Sequence, residues 1–143
     1  MSENSPQRPL PDTRNAGAPY WRAAAEGRLV LPRCVPCAAA FWYPRWHCPR
    51  CGSDRIEWIS ARGTGRVHTY TVVRQSGDPF FRTRLPIVVA MVELDEGPRL
   101  LSNLVDCDVG AIAIGMSVIV HFEPAQGGFA IPLFRPAKAG GAA

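Results

Sequence analysis

The sequence predicts a mainly β chain: a short N-terminal helix, a small four-cysteine module, then a five-stranded barrel. Three observations carry that expectation. Short apolar or alternating segments recur between residues 66 and 134, each bounded by Gly, Pro or Asp. The 13 glycines and 14 prolines argue against long uninterrupted helices. Two Cys-x2-Cys pairs lie upstream of those segments, in a stretch with too few apolar residues to form a core alone.

The length of 143 residues suits one ordinary domain or two small modules, and an apolar content of 47% excludes wholesale disorder. No run approaches the roughly 18 apolar residues of a membrane span. Met1-Ser2-Glu3-Asn4-Ser5-Pro6 lacks the apolar centre of a secretory leader, so a cytoplasmic chain is expected.

Residues 1–17 are polar and carry Pro6, Pro9 and Pro11, which predicts a disordered arm. A helix follows, with Pro19 in its first turn, Ala23-Ala24-Ala25-Glu26 as helix formers and Gly27 as its stop. Tyr20, Trp21 and Ala24 share one face of it, and a helix this short needs that face covered. Helix and cysteine module together make one unit over 18–62. The barrel is expected over 63–137, in strands at Arg66–Arg74, Ile87–Leu94, Arg99–Leu104, Ser117–Phe122 and Phe129–Phe134. Val67, Thr69, Thr71 and Val73 alternate with Arg66, His68, Tyr70 and Val72, so both faces of the first strand are expected to be partly covered. Ile87-Val88-Val89-Ala90-Met91-Val92 reads as a central strand. With no room for βαβ crossovers, an OB-type barrel fits best and an SH3-like barrel is the runner-up. Residues 138–143 read as an unstructured tail.

Cys34-x2-Cys37 and Cys48-x2-Cys51 are separated by ten residues. Two residues between thiolates let a tight turn aim both sulfurs at one point, and two such turns make a tetrahedral S4 site. Structural Zn²⁺ is the reading this favours, with a disulfide pair or an iron site as alternatives. Four thiolates close the coordination sphere, so such a metal organises the fold and has no open position for a catalytic water. Gly52 after Cys51 permits the turn geometry, whereas Ala38 after Cys37 predicts a more strained first turn. Cys107 reads as an ordinary buried or half-buried residue, and His47 as a surface residue more readily than a group supporting the metal.

Sixteen basic residues against twelve acidic give +4. Residues 29–62 hold a local excess of +3, which four thiolates and one Zn²⁺ would reduce to about +1. Residues 63–143 balance at seven against seven. The basic stretch is therefore a weak argument for nucleic acid, although zinc ribbons and OB barrels both commonly bind single strands. No Gly-x-Ser-x-Gly, His-Glu-x-x-His or phosphate-binding glycine loop occurs, and no nucleophile, base and oxyanion donor assemble. His68 and His121 read as strand residues that fill a face. Phe80-Phe81-Arg82-Thr83-Arg84 pairs two aromatics with two arginines in the first barrel loop. It suits either a tucked hairpin or a surface for an anionic, partly apolar ligand or a partner.

Several stretches together carry a resemblance. They are Trp21-Arg22-Ala23-Ala24-Ala25-Glu26-Gly27-Arg28-Leu29, Cys48-Pro49-Arg50-Cys51-Gly52, Gly63-Thr64-Gly65-Arg66-Val67-His68-Thr69-Tyr70-Thr71 and Pro86-Ile87-Val88-Val89-Ala90-Met91-Val92-Glu93-Leu94-Asp95-Glu96-Gly97. Leu101-Ser102-Asn103-Leu104-Val105-Asp106-Cys107, Ile114-Gly115-Met116-Ser117-Val118 and Pro132-Leu133-Phe134-Arg135-Pro136 complete the set. From Tyr20 to Pro136 the chain resembles the zinc-ribbon plus OB-fold proteins associated with thiolases and acyl-CoA metabolism. The resemblance implies a rubredoxin-like ribbon holding structural Zn²⁺ through Cys34, Cys37, Cys48 and Cys51, with no catalytic cofactor. It implies a non-catalytic accessory subunit in a hetero-oligomer with a thiolase-like, lipid-transfer-protein-like enzyme. Such an enzyme either condenses acetyl-CoA or, as an aldolase, shortens steroid side chains held as CoA thioesters. The catalytic residues then lie on the partner. On that footing Phe80, Phe81, Arg82 and Arg84 are expected beside the acyl-CoA channel at the shared interface, and Tyr20 and Trp21 against the partner.

Overall fold

The computed structural model describes residues 5–137, so the expected tail at 138–143 lies outside the described residues. Helix α1 (Ala18–Ala25) starts with Pro19 in its first turn and ends at Gly27, whose φ of 76° the absence of a Cβ permits. It lies next to a two-stranded antiparallel sheet of β1 (Val30–Cys34) and β2 (Ile56–Ser60), in register from Val30↔Ser60 to Cys34↔Ile56.

Five further strands close a barrel: β3 (Thr64–Val73), β4 (Ile87–Leu94), β5 (Arg99–Leu104), β6 (Ser117–Pro124) and β7 (Ala130–Pro136). Their order around the barrel is β3-β4-β5-β7-β6, with β6 returning to β3. Among the described strands only β5 and β7 run parallel, paired at Leu104↔Phe134. That Greek-key order is the OB arrangement, and it decides against the SH3-like alternative.

β4 places Val88, Ala90, Val92 and Leu94 inside, while Ile87, Val89 and Met91 make a half-covered outer face. The first barrel strand departs from simple alternation. A bulge falls between Val67 and Thr69, so His68 is extra to the ladder and the inward phase shifts by one residue. Gly65 and Val67 face the core before the bulge, and Tyr70 and Val72 pack on it afterwards. Thr69 and Thr71 are exposed, and so is His68, which therefore fills no face of the core. At Gly65 a Cβ would collide with the Glu93 carbonyl, so strand crossing there requires glycine.

Phe134, Val67, Val92 and Val118 centre the barrel core, and Leu29, Leu31 and Tyr20 join the same apolar cluster from the ribbon side. Ribbon and barrel thus share one interior. The loop after β3 contains a single helical turn, α2 (Pro79–Arg82), where a plain hairpin loop was one expectation. Asp78 caps it by accepting from the Phe80 and Phe81 amides.

Residues 5–17, expected to be a disordered arm, hold no strand and lie along the barrel through Arg8. Its guanidinium is only 9% exposed.

Candidate metal centre and aromatic face

The two cysteine turns repeat one hydrogen-bonding plan. In the first, Ala38 N–H donates to the Cys34 carbonyl at 2.9 Å and Cys34 N–H to Ala39 at 2.9 Å. In the second, Gly52 N–H donates to the Cys48 carbonyl at 2.9 Å and Cys48 N–H to Ser53 at 2.8 Å. The residue after the second cysteine of each turn is left-handed, with φ of 63° at Ala38 and 80° at Gly52. The strain expected at Ala38 is therefore present as a positive φ on a residue with a Cβ.

β1 delivers Cys34 directly from its last position, and the ten-residue spacer returns the chain so that all four sulfurs lie within 4.8 Å of one another. Cys34 Sγ is 3.4 Å from Cys51 Sγ, and Cys37 Sγ is 3.7 Å from Cys48 Sγ. A tetrahedron with Zn–S near 2.3 Å has edges of about 3.8 Å. The donor set and its spacing fit Zn²⁺. Arg50 N–H donates to Cys48 Sγ at 3.3 Å, which disperses thiolate charge. The surroundings push the Cys34 and Cys48 thiols in opposite directions. At Cys34 the Cys37 amide pulls downward, but desolvation and the neighbouring sulfurs push the thiol up to about 12. Burial opposes ionisation of Cys48, yet the Cys51 and Arg50 amides and its sulfur neighbours bring it down to about 6. One cation bound among them would remove this conflict by taking four thiolates at once. Bound there, zinc supplies structure: it ties β1 to the loop before β2. Cys107 stands apart and half-buried, its thiol pushed up by burial and by Asp106 and Asp108.

Tyr20 and Trp21 are expected against a partner together, and both border one open groove, though with unequal exposure. Tyr20 is 5% exposed and belongs to the core, edge-on to Trp21 at 4.9 Å and tilted against Trp42 at 4.6 Å. Burial pushes its hydroxyl up, out of the ordinary tyrosine range. Trp21 is only partly buried and lines an open groove of about 800 Å³ with Trp42, Tyr43, Trp46, Val89 and Leu101. Trp46 is 69% exposed and Tyr43 56%, a large apolar display for one face. Trp42 Nε1 is buried without a hydrogen-bond partner among the described residues. The aromatic content hinted at such a face. Its joining of ribbon residues to the outer side of β4 and β5 was not legible.

Nor are the four loop residues equally free. Arg84 stacks on Phe80, 4.8 Å from its centroid, and pairs with Glu123 at 2.6 Å. Phe80 and Phe81 pack edge to face at 5.1 Å, and Arg8 covers both. Arg82 is exposed, its guanidinium donating to the Gly77 carbonyl at 3.3 Å.

Comparison with known proteins agrees with this construction. The family described as the ChsH2 rubredoxin-like zinc ribbon domain matches residues 21–57, and the ChsH2 C-terminal OB-fold domain matches residues 58–123. A DUF35 domain-containing scaffold protein of Methanothermobacter thermautotrophicus is 40% identical over 96 residues, 66% of this chain and 71% of that protein. The chain belongs to the ChsH2-type DUF35 family of zinc-ribbon plus OB-fold proteins. A probable enoyl-CoA hydratase alpha subunit of Thermomonospora curvata is 39% identical over 139 residues. That match takes in 96% of this chain, which spans 43% of that relative's length. Among solved structures, a chain of the Ltp2-ChsH2(DUF35) aldolase superposes with a TM-score of 0.81 at 40% identity. The match covers 92% of this DUF35 chain and 100% of that one. No helix among the described residues is long and apolar enough to cross a membrane.

Proposed function

We propose that this DUF35 chain is a non-catalytic accessory subunit of a thiolase-superfamily aldolase that cleaves a β-hydroxyacyl-CoA thioester, with a steroid side chain as one candidate acyl group. The observation that carries this reading is its match, over the full length of the other chain, to a chain of the Ltp2-ChsH2(DUF35) aldolase. The local chemistry is consistent. A metal held by Cys34, Cys37, Cys48 and Cys51 has every position filled by sulfur, so it serves rigidity and activates no water. The retro-aldol step would fall to residues of the partner.

The partner face in this reading is the aromatic groove of Trp21, Trp42, Tyr43 and Trp46. Tryptophan and tyrosine in a half-open groove are the usual anchors of protein interfaces. For the CoA end, Arg82 is the loop cation left for a phosphate, because Arg84 is engaged by Glu123. An exposed Arg–phosphate contact contributes about 1–2 kcal/mol.

The test is reconstitution with the thiolase-like subunit of the same organism. Co-elution and CoA-thioester cleavage only with both chains present are expected. Turnover by this chain alone, or full activity of the partner alone, overturns the reading. Arg82→Ala should raise KM for the thioester up to about tenfold at unchanged zinc content. An unchanged KM removes the loop from the CoA site.

A further inference from the structure

In OB folds the cleft between the loop joining the first two strands and the loop joining the last two is where oligonucleotides and oligosaccharides bind. Here those are the β3–β4 loop, carrying Phe80, Phe81 and Arg84, and the β6–β7 hairpin, carrying Glu123 and Gln126. The cleft already holds something. Arg8, from the Pro-rich segment before α1, enters between the two loops and is 9% exposed.

Each part of Arg8 is met by a different chemical group. Its guanidinium carbon stands 4.9 Å from the Phe80 centroid and 5.6 Å from that of Phe81, over two rings that are themselves edge to face. Its Nη2 donates to Glu123 Oε1 at 3.3 Å, on a carboxylate only 18% exposed. Its backbone carbonyl accepts from Gln126 Nε2 at 2.6 Å. Charge, flat cation and peptide backbone are thus all read. Arg84 completes the frame, stacking on Phe80 at 4.8 Å and sharing the same Glu123 oxygen at 2.6 Å.

We propose that this cleft is a peptide-binding site selective for an arginine side chain on an extended segment, and that residues 5–10 fill it in cis with Arg8 as the anchor. The proposal is independent of the subunit role argued above. Two physical consequences follow. Phe80 and Phe81, the aromatics on which bases would stack, are covered by Arg8, so the barrel is closed to single strands while the segment is seated. Tethering also gives the cis segment an effective concentration on the order of mM, so a free peptide of the same sequence competes poorly with it. Removing the anchor reverses that.

The experiment compares the full-length zinc-loaded parent with full-length Arg8→Ala and Arg8→Lys. Binding is followed by fluorescence anisotropy of a labelled peptide with the sequence of residues 5–12 and of the same peptide with alanine for its arginine. The Arg8→Ala chain is expected to bind the arginine peptide and the parent to bind it at least about tenfold more weakly. The alanine peptide should lose about tenfold or more, the size of a desolvated cation–π stack with an ion pair. Adding Glu123→Gln to Arg8→Ala should abolish the preference between peptides. Arg8→Lys, which keeps the charge without the planar stack, should take up the arginine peptide to an intermediate extent. Equal binding of both peptides, binding of neither by Arg8→Ala and Arg8→Lys, or binding of a labelled oligothymidylate in preference to the peptide overturns the proposal.

Discussion

Replacing Ala38 by glycine should stabilise the ribbon, a reversal of the usual cost of glycine. Ala38 sits at φ 63° and is exposed, so the substitution removes a strained Cβ without removing packing. An L-residue in the left-handed region costs roughly 1–2 kcal/mol, and glycine returns about 0.4–1 kcal/mol of that through its freer unfolded chain. The net is about 1 kcal/mol in favour of Ala38→Gly. Gly52 supplies the mirror experiment on the second turn. Its φ is 80° and no atom lies within 4 Å of an added Cβ, so Gly52→Ala isolates the dihedral cost at about 1 kcal/mol against folding. Thermal melts of zinc-saturated protein should move by about 3–5 °C, upward for Ala38→Gly and downward for Gly52→Ala. Where metal binding carries ribbon folding, chelator competition should show about fivefold tighter and fivefold weaker zinc retention respectively. An Ala38→Gly protein that melts at or below the parent, with Gly52→Ala unchanged, would refute the claim that turn strain sits at these two positions.

Other consequences can be measured directly. Cys48→Ser should lose zinc by elemental analysis and lower the melting temperature sharply, because three thiolates leave the tetrahedron open. Gly65→Ala should destabilise far more than Gly52→Ala in the same melts, since its Cβ meets the Glu93 backbone carbonyl, which cannot move without breaking the β3–β4 ladder. Burial works against ionised Glu123, but Arg84 and then Arg8 hold its carboxyl below the ordinary 4.5. Because the folded value is the lower one, the pair stabilises above about pH 4.5 and that contribution fades as pH falls through the folded value. Melts of Glu123→Gln against the parent should therefore separate above about pH 5 and converge as pH falls through the folded value. Trp46→Ala should leave the melt of the isolated chain unchanged and weaken assembly with a thiolase-like partner by about 2 kcal/mol or more, read by isothermal titration.

What the sequence made legible follows physical range. The cysteine turns are local: two residues of spacing and one glycine announce them, and even the strain at Ala38 could be expected. The strands of the barrel are nearly as local, since Ile87–Leu94 and Arg99–Leu104 stop at the turn residues that flank them. The phase of β3 could not be read, because a bulge leaves no mark in a pattern where Val67, Tyr70 and Val72 are all acceptable inward residues. Tyr20 and Trp21 are neighbours that both border the groove, and only packing against Trp42 decides that Tyr20 is core while Trp21 stays partly exposed. The Arg8–Glu123 pair spans 115 positions, and one arginine in a Pro-rich stretch gives no sign of being buried. Long-range electrostatics of this kind has no sequence period to reveal it.

The central claim is that this chain works by completing another enzyme. Native mass spectrometry of the zinc-loaded chain co-expressed with the thiolase-like subunit of its organism, followed by a CoA-thioester cleavage assay on the same sample, tests it most directly. The expected result is one hetero-oligomer retaining one zinc per DUF35 chain, with cleavage that disappears when either chain is omitted. Separate unassociated masses, or cleavage that persists without this chain, would contradict it.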